Sequence, residues 1–459
     1  MPGSTRAIDI FARWRPPPPK AADGQIARSE GTADGRGLLP VSLSAQNSGA
    51  NQSWTSAPAF KAIFRPEDDN GAVYHSIVAP SISHILQGGS RNFFAYGHSG
   101  SGKTHTIFGY NYDDNNELGL SLAAAKHLFQ ALDTLNEGKA VRERLGVGFS
   151  LFELRNKSAF DLLNQRTECH IREGPDGRVH IRGETEMLQG GKVRVCPVAK
   201  MPCWTYEQLV GELTRALGLR AVGSSSTHDQ SSRTHAVLEL EIVCQSLVHS
   251  RNAVVDRQSE LVPVGKRATD ISIEEQSKGF VALPGGGWGP NPDYTIDQRR
   301  IDAAEAEKAE YEARIASAEQ VVDEILRAHP SPCLGGKMVF VDLAGAEYHQ
   351  EKGTQLELPK QTPQERQQGR QINTDLLALK EVIRAWSKNQ PRIPFRSSAL
   401  TMVLREHFLG IEGGTSNMIV TVSPAEDQYA ATLNSLKYGS LVGASSASAR
   451  SLAATSSAT

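Results

Sequence analysis

A glycine-rich loop places the strongest constraint on the fold of this chain. Residues 97–104 read GHSGSGKT and match the phosphate-binding pattern GxxxxGK[ST] at every fixed position. In such a loop the glycines let the backbone curl around phosphate oxygens, the lysine adds a mobile positive charge, and the threonine hydroxyl can ligate Mg²⁺. The apolar residues 92–96 predict a buried strand before the loop, and the residues after it predict a helix. The sequence therefore predicts a strand–loop–helix unit that holds phosphate at a helix N-terminus, formed by Gly97, His98, Ser99, Gly100, Ser101, Gly102, Lys103 and Thr104.

Composition and charge narrow the class of protein. Hydrophobic residues make up 39% and charged residues 22% of the 459 residues, which is ordinary for a globular protein. The net charge of −2 gives no general attraction to nucleic acid or to a membrane surface, so we expect neither as a partner. The five cysteines contain no CxxC pair, which favours reduced thiols over a disulfide frame or a zinc site. No apolar run is long enough to span a membrane and the N-terminus lacks the apolar core of a signal peptide, so we expect a cytosolic protein.

Apolar segments of two periodicities alternate along the chain. Strands are predicted at 7–14, 60–64, 92–96, 147–154, 179–181, 236–244, 338–343 and 417–422. Helices are predicted at 73–86, at 119–136, at 206–217, near 371–387, near 397–409 and at 428–438. This alternation predicts an α/β fold of the P-loop NTPase type, with a central, mostly parallel sheet flanked by helices on both faces.

Three segments do not fit into a compact unit of this kind. Residues 20–56 are rich in Gly, Ser, Ala and Asn and predict a long surface excursion. Residues 245–336 separate two predicted strands by about 90 residues, far more than ordinary connections. From Gly439 the chain is nearly all Ser, Ala and Thr, so we expect 441–459 to be a disordered tail. The predicted domain therefore covers about 7–440 and is interrupted by an insertion at 245–336.

The insertion contains a charged helix, which is predicted at about 297–328. Eight positions there alternate spacings of three and four residues, namely Ile301, Ala304, Lys308, Tyr311, Ile315, Ala318, Val322 and Ile325. A seam this short and mixed favours a helix on the surface of the domain, and a coiled-coil contact with a partner is the alternative. Since an insertion between adjacent strands should lie at the surface, we expect a variant that lacks 245–336 to keep its activity.

Two polar segments further along the chain can complete a site for a nucleoside triphosphate. Hydrolysis needs a group near the metal, a sensor of the γ-phosphate and a group that positions water. The first segment, SSRTH at 231–235, precedes a predicted strand. Ser231 and Ser232 can hold Mg²⁺ or its water ligands, and Arg233 can pair with a carboxylate.

The second polar segment, DLAGAE at 342–347, follows a predicted central strand. Asp342 ends that strand, which is a usual place for a carboxylate that reaches Mg²⁺ through water. Gly345 can bring a bare N–H to the γ-phosphate, and Glu347 is a candidate partner for Arg233. The joint presence of both segments, in order, behind a complete phosphate loop favours a hydrolytic site over unrelated turns and helix caps.

Together these motifs make the chain resemble a kinesin motor domain. FFAYGHSGSGKTHT resembles the kinesin phosphate loop, SSRTHA resembles switch I, and DLAGAE resembles switch II. INTDLLALKEVI at 372–383 resembles the helix after switch II, IPFRSSALTMVL at 393–404 resembles the kinesin segment IPYRDSKLTRLL, and NMIVTVSPAEDQYAATLNSLKY at 417–438 resembles the final strand and helix. The resemblance extends from about residue 7 to 440 and is interrupted by the insertion.

The resemblance implies roles in nucleotide binding for individual residues. Arg15 and Pro16 match the element that lines the adenine pocket, and His105 lies where the family often has another contact to the base. Ser231 and Ser232 match the switch I serines that close on Mg²⁺ and the γ-phosphate. The implied cofactors are ATP and Mg²⁺, which bind at the phosphate loop.

Other residues match the catalytic parts of the family. Arg233 and Glu347 match the salt bridge between the two switches, which helps to position the lytic water. Asp342 and Gly345 match the carboxylate on the Mg²⁺ side and the sensor of the γ-phosphate. The resemblance implies microtubule-stimulated ATP hydrolysis on the cytoplasmic cytoskeleton, with tubulin met by about 348–390.

Several positions depart from the kinesin pattern. His228 stands where switch I normally has Asn, and Ala346 replaces the switch II serine. Ser397 and Ala399 replace an Asp and a Lys. In the family that lysine helps to bind acidic tubulin. Its replacement by Ala399 therefore implies weaker binding to microtubules. The loop at 351–370 is also longer and less basic than usual.

Two functions of different classes stay open on the sequence. One is an ATP-driven microtubule motor, and the other is a degenerate kinesin-fold protein that binds nucleotide or microtubules without productive movement. The complete set of nucleotide residues favours the first. For motility, two features favour the degenerate protein. The residues expected to face tubulin are altered, and no neck linker or coiled-coil stalk is recognisable after Tyr438. Two other classes of P-loop protein fit the sequence less well. A GTPase would need an NKxD motif, which we do not find, and a myosin would have an aromatic residue where this chain has Thr234-His235.

Overall fold

A computed structural model of the chain contains one large sheet with helices packed on both faces. It describes residues 7–17, 26–44, 53–112, 114, 116–174, 177–221, 233–283, 286–346, 363–388, 390–409 and 415–456. The strands are β1 Ala7–Trp14, β2 Ala27–Glu30, β3 Val41–Ser44, β4 Ser53–Thr55, β5 Ala62–Phe64, β6 Ser90–Tyr96, β7 Leu145–Arg155, β8 Ser158–Asp161, β9 Thr167–Glu173, β10 Val179–Met187, β11 Val193–Pro197, β12 Met201–Cys203, β13 His235–Cys244, β14 Phe280–Ala282, β15 Trp288–Pro290, β16 Lys337–Asp342 and β17 Thr415–Val422.

The helices lie between these strands and after the last of them. They are α1 Asn70–Ile77, α2 Ile82–Ile85, α3 Lys103–Ile107, α4 Leu120–Leu135, α5 Tyr206–Ala221, α6 Gln245–Lys278, α7 Gln298–Ala328, α8 Pro363–Ser387, α9 Ala399–Val403, α10 Arg405–Leu409 and α11 Tyr429–Ser456. In the part of the chain that the structure describes, no helix combines the length and the apolar character needed to cross a bilayer.

The large sheet has 12 strands. Their order is β11-β10-β9-β8-β7-β13-β16-β6-β17-β1-β5, and β12 pairs with β7. The strands from β16 to β5 run parallel to one another, whereas β13 runs antiparallel to β16 and the strands beyond it are antiparallel as well. The predicted α/β sheet between helices is confirmed as a mixed sheet, and the expectation of mostly parallel strands was wrong for its outer half.

A tight turn explains why β7 and β8 are antiparallel. Arg155 of β7 pairs with Ser158 of β8, so only Asn156 and Lys157 lie between the strands. Asn156 has φ of 58°, a left-handed conformation that Asn tolerates better than most residues. Parallel strands cannot be joined by so short a connection, because the chain must cross over the sheet.

The central strands build one hydrophobic core on each face of the sheet. On β6, Phe93 belongs to the core beneath α1, α4 and α5, and Phe94 belongs to the core beneath α8 to α11. Phe93 stacks on Phe340 with the ring centroids 5.0 Å apart, and Phe94 stacks on Phe408 at 5.7 Å. All four rings are buried, so the strand that carries the glycine-rich loop is held from both faces.

Two predicted segments differ from the structure. The helix predicted at 73–86 is divided into α1 and α2 by a 3₁₀ turn at 79–81. Pro80 lies in this turn, and a proline lacks the N–H that a continuous helix would need. The predicted surface excursion at 20–56 contains β2, β3 and β4, which form a small antiparallel sheet with Val41 buried.

The insertion at 245–336 forms a helical hairpin. Helices α6 and α7 pack against each other, and the antiparallel pair β14–β15 joins them. Along this contact Arg267 pairs with Glu307 at 2.5 Å, and the side chain of Ala304 is buried. The charged helix predicted at 297–328 is therefore present as α7, and the helix that covers it is α6 of the same chain. Since β13 and β16 are neighbours in the sheet, the hairpin extends the connection between adjacent strands.

Both ends of the insertion are part of the core. Three side chains near its ends are buried with α4 and α5, namely Leu247, Cys333 and Leu334. Arg251 of α6 donates two hydrogen bonds, of 2.9 and 2.8 Å, to the buried carboxylate of Glu241 on β13. The expectation that all of 245–336 lies at the surface was therefore wrong at both ends.

The last helix continues beyond its predicted end at Tyr438. Helix α11 extends to Ser456, so the prediction of disorder from residue 441 was wrong up to that point. Tyr438 stacks on Tyr96 with the ring centroids 4.0 Å apart, and Val442 is buried. The alanines of this segment favour a helix, and its first turns are fixed by packing on the sheet.

We expect Gly443→Ala to destabilise the protein by about 1–3 kcal/mol, the usual cost of overpacking. A Cβ atom at Gly443 would lie 2.5 Å from the backbone oxygen of Ala59, which cannot move aside as a flexible side chain could. An added methyl group in a helix would otherwise gain about 1 kcal/mol. Gly218 of α5 is the matched control, because nothing lies within 4 Å of its Cβ position. Urea unfolding should show Gly218→Ala to be neutral or stabilising, and a Gly443→Ala variant of wild-type stability would contradict the packing of α11.

Candidate nucleotide-binding site

The glycine-rich loop lies at the carboxyl end of β6, between the neighbouring parallel strands β16 and β17. Gly100 and Gly102 have φ of 72° and 100°, a left-handed region that side chains disfavour. A Cβ atom at Gly97 would lie 2.3 Å from the backbone oxygen of Thr421, so this position also needs glycine. Helix α3 begins at Lys103 directly after the loop. The predicted strand–loop–helix unit is present.

The ammonium group of Lys103 folds back over the loop. Its Nζ donates to the backbone oxygens of Gly97 and His98 at 3.1 and 2.8 Å, and the side chain is buried. The positive charge thus lies inside the curve of the backbone, where a nucleotide phosphate would sit.

Thr104 and Asp342 meet although 238 positions separate them in the sequence. The Thr104 hydroxyl donates to Oδ2 of Asp342 at 2.7 Å, and the carboxylate is fully buried. The two residues meet because parallel strands β6 and β16 are paired, which brings their carboxyl ends to one edge of the sheet. The other oxygen, Oδ1 of Asp342, is buried without a hydrogen-bond partner among the described residues.

Arg220 is a residue of this site that sequence reasoning missed. Its Nη1 donates to Oδ2 of Asp342 at 2.7 Å, and its Nη2 donates to the backbone oxygen of Thr234 at 3.2 Å. The side chain is 4% exposed, so the pair is an interior one. Arginine in the last turn of a helix is common, because it complements the helix dipole. A single arginine at the end of α5 therefore carries no sequence signal for a functional role.

Gly345 approaches the glycine-rich loop from the segment after β16. A Cβ atom on Gly345 would lie 2.8 Å from the backbone nitrogen of Ser99. Ser101, on the other side of the loop, shares a 2.7 Å hydrogen bond with the hydroxyl of Thr421 on β17. The loop is therefore in contact with two of the segments that follow the central strands.

His98 is buried inside the loop. Its Nδ1 lies 2.8 Å from the backbone oxygen of Ser99, and its Nε2 lies 3.4 Å from the hydroxyl of Thr432 on α11. Burial lowers the pKa of His98 to about 4, with a smaller contribution from the nearby charges of Lys103 and Arg15. The ring is therefore neutral at physiological pH.

A cavity of about 580 Å³ opens beside the glycine-rich loop, and Arg13, Arg15, Pro16, Tyr110 and Glu117 are among the residues that line it. Arg15 donates to the backbone oxygen of Gly100 and so joins β1 to the loop. The buried Arg13 donates to Asn70 at 2.6 Å and to Thr106 of α3 at 2.8 Å, which fixes the helix after the loop.

His105 lies on the rim of this cavity. Its Nε2 is 3.3 Å from a carboxylate oxygen of Glu117, and its ring centroid is 5.7 Å from that of Tyr110. Burial lowers the pKa of His105, and the charge of Arg13 lowers it further against the opposing effect of Glu117. The structure thus brings His105 together with Arg15 and Pro16 around one cavity, and their contact with a base stays a prediction.

Some predicted site residues lie outside the described part of the chain. These are Ser231, Ser232 and Glu347, together with His228 and the loop at 348–362. Arg233 is described and lies two residues before the start of β13. The predicted pairing of Arg233 with Glu347 therefore stays a prediction.

The chain is similar to kinesins along most of its length. A family model of the kinesin motor domain matches residues 39–264 and 315–444. The kinesin-like protein KIN-13A of Oryza sativa subsp. japonica is 28% identical over 385 residues, which cover 83% of this chain and 34% of that protein. The kinesin-like protein KIF24 of Mus musculus is 27% identical over 383 residues, 83% of this chain and 20% of that protein. The chain thus spans about a third or less of the curated relatives it matches.

Solved kinesin structures share the fold. A structure of mutants that reveal a signalling pathway for activation of the kinesin motor ATPase aligns with a TM-score of 0.56 and 19% identity, over 95% of this chain and 99% of that chain. A structure of a fast kinesin aligns with a TM-score of 0.58 and 19% identity, over 96% of this chain and 92% of that chain. With a family model that covers most of the sequence, the chain belongs to the kinesin motor-domain family, whose members bind nucleotide.

Proposed function

We propose that this chain is an ATP-hydrolysing, microtubule-binding kinesin motor domain. The observation that supports it most directly is the contact of Thr104 with Asp342 beside a complete glycine-rich loop. A hydroxyl after the loop lysine and a carboxylate at the end of the neighbouring strand are the arrangement that P-loop NTPases use for a phosphate-bound metal. A fold that kept only the shape of a kinesin would have no need of this buried polar pair, so the active motor is favoured over the degenerate alternative.

The loop residues Gly97 to Thr104 would hold the nucleotide phosphates. The loop curves around the Lys103 ammonium, which now contacts two backbone oxygens. Phosphate oxygens are stronger partners for an ammonium group than peptide oxygens, since the hydrogen bond is then assisted by charge. Lys103 is therefore placed to neutralise the β- and γ-phosphates.

The donor set at the end of β16 fits Mg²⁺. Thr104 offers a hydroxyl oxygen, Ser232 a second hydroxyl in the sequence, and Asp342 a carboxylate with one buried oxygen, Oδ1, that has no partner among the described residues. Hard oxygen ligands of this kind are the ones that Mg²⁺ prefers, and Asp342 would act partly through water. When bound, the ion would neutralise charge on the phosphates. Arg220 donates to the other oxygen, Oδ2, which Thr104 also contacts, and so helps to hold the carboxylate in place.

The catalytic roles fall to residues around the γ-phosphate. Gly345 lies against Ser99 of the loop, and its N–H is suited to sense that phosphate. Arg233 and Glu347 would form the bridge that positions the lytic water, with Ser232 closing on the metal. Around the base, Arg15, Pro16 and His105 line the cavity, and Ser231 would close over the phosphates.

Microtubules are the proposed partner, which places the chain on the cytoplasmic cytoskeleton. The proposed surface is 348–390, which includes α8, together with the segment around α9. Arg396 beside α9 is largely exposed and pairs with Glu173 at 2.8 Å, so its charge is partly neutralised. Ser397 and Ala399 add no positive charge. We therefore expect binding to tubulin that is weaker than in relatives with a lysine in this segment.

Co-sedimentation with microtubules tests the partner. We expect the chain to pellet with microtubules and to show affinities for them that differ by about fivefold or more between ADP and a non-hydrolysable ATP analogue, the usual scale of coupling between two sites. Raising the salt concentration should weaken the binding, because acidic tubulin would be held largely by charge. Absence from the pellet in both nucleotide states would contradict the proposed partner.

A further inference from the structure

The imidazole of His235 is hydrogen-bonded to the segment that follows β16. His235 is the first residue of β13, and its side chain is 3% exposed. Its Nδ1 accepts the backbone N–H of Ala344 at 3.0 Å. Ala344 precedes Gly345, which lies against the glycine-rich loop. The position of this ring is therefore linked to the segment proposed to sense the γ-phosphate.

The other ring nitrogen of His235 faces a carboxylate that lies beyond hydrogen-bond distance. Because Nδ1 accepts a hydrogen bond, the ring proton is at Nε2. Nε2 is buried and without a hydrogen bond among the described residues. The carboxylate oxygen Oδ2 of Asp375 is 3.8 Å from it. A donor and a charged acceptor thus face each other in the interior, just beyond the reach of a hydrogen bond.

Asp375 is fixed to α8. Its side chain is 5% exposed, and its Oδ1 accepts a hydrogen bond from Nε2 of Gln371, one turn earlier in the helix, at 3.0 Å. The adjacent apolar residues Ile372 and Leu376 pack into the core between α8 and the sheet. The hydrogen bond and the burial therefore hold the carboxylate in place on the helix.

The unmade hydrogen bond makes the stability of the interior sensitive to the position of α8. A buried N–H without an acceptor is unfavourable, and its bond to a carboxylate would be assisted by charge. Shortening the gap by about 0.9 Å brings the two atoms to ordinary hydrogen-bond distance. A displacement of α8 or of the Ala344 segment on this scale makes or breaks the bond.

We propose that Asp375 is a positioning residue that couples the phosphate-sensing segment 343–346 to helix α8 through His235. A movement of Gly345 toward a γ-phosphate displaces Ala344, and the ring hydrogen-bonded to Ala344 follows. The Nε2–H of the ring then approaches or leaves Asp375, which biases the position of α8. The inference rests on the proposed function, because it gives the nucleotide a path to the helix that is proposed to meet the microtubule.

Hydrogen exchange over α8, with and without a non-hydrolysable ATP analogue and Mg²⁺, tests the coupling in the full chain without microtubules. In the wild type we expect the analogue to change deuterium uptake in peptides from 363–388. Asp375→Leu has a similar size but no acceptor, and it should lose this nucleotide-dependent change. Asp375→Asn keeps an acceptor oxygen and should retain it. Glu381→Leu removes a half-exposed carboxylate from the same helix and should behave as wild type.

The nucleotide affinity of each variant, measured with a fluorescent analogue, separates coupling from binding. We expect every variant still to bind the analogue, with a change in affinity far smaller than the loss expected for Lys103→Ala, since Asp375 does not line the nucleotide cavity and acts through His235. An Asp375→Leu variant whose α8 responds as in the wild type would overturn the coupling, and so would a wild type that binds nucleotide without any response of α8. A wild type that fails to bind nucleotide would instead overturn the proposed function.

Discussion

Lys103→Ala is expected to reduce nucleotide affinity by about a hundredfold or more. Hydrogen bonds to charged groups contribute about 1.5–3 kcal/mol each, and an ammonium group between two phosphates makes at least one such bond to each. The loss would therefore amount to at least two tenfold steps in the dissociation constant. Titration with a fluorescent ATP analogue measures it directly.

A matched control separates this effect from general loss of positive charge. Lys308 lies on the inserted helix α7 and pairs with Glu305 at 3.1 Å near the surface. Lys308→Ala should leave the affinity unchanged, and circular dichroism should show that both variants are folded. Unaltered affinity of a folded Lys103→Ala variant would refute the assignment of the glycine-rich loop.

Removal of the whole insertion, 245–336, is expected to prevent folding. The deletion takes away the buried side chains of Leu247, Cys333 and Leu334. Loss of a large buried apolar side chain costs about 2–5 kcal/mol, and the total stability of a domain is only about 5–15 kcal/mol. The deletion also removes Arg251 and leaves the buried Glu241 without two of its hydrogen bonds.

A shorter deletion should be harmless and serves as the control. Arg267 and Glu307 face each other across the two helices at 2.5 Å, so replacing 268–306 by a short Gly/Ser linker preserves the hairpin root. The family model supports similar limits, because its match stops at residue 264 and resumes at 315. Circular dichroism and ATPase activity should be close to wild type for the short deletion. A folded, active protein without 245–336 would contradict the placement of the root in the core.

The sequence predicted the parts of the molecule whose chemistry is local. The glycine-rich loop, the strand before it and the carboxylate at the end of β16 follow from short-range patterns, and their meeting follows from the pairing of parallel strands. Arg220 could not be predicted, because nothing near it in the sequence reveals the carboxylate that it contacts. The distance between His235 and Asp375 could not be predicted either, because it depends on how α8 packs on the sheet.

Packing also determines the structure of two segments that were predicted incorrectly or incompletely from composition, the end of the chain and the insertion. The Ser- and Ala-rich end of the chain resembles a disordered tail, yet Gly439 and Gly443 let α11 approach Val420 of the sheet and Ala59 so closely that a methyl group at either position would collide. The seam on α7 suggested a surface helix without showing its neighbour, and α6 covers it. Helix α6 contains Pro263 and no regular apolar period, so it could not be predicted from the sequence.

The steady-state ATPase rate as a function of microtubule concentration tests the central proposal most directly. If the chain is a kinesin motor domain whose glycine-rich loop and Asp342 form a working site, the rate should rise severalfold with microtubule concentration and reach a plateau. A rate that stays flat over the same range, for a folded chain that binds ATP, would contradict the proposal that its nucleotide site is coupled to a microtubule surface.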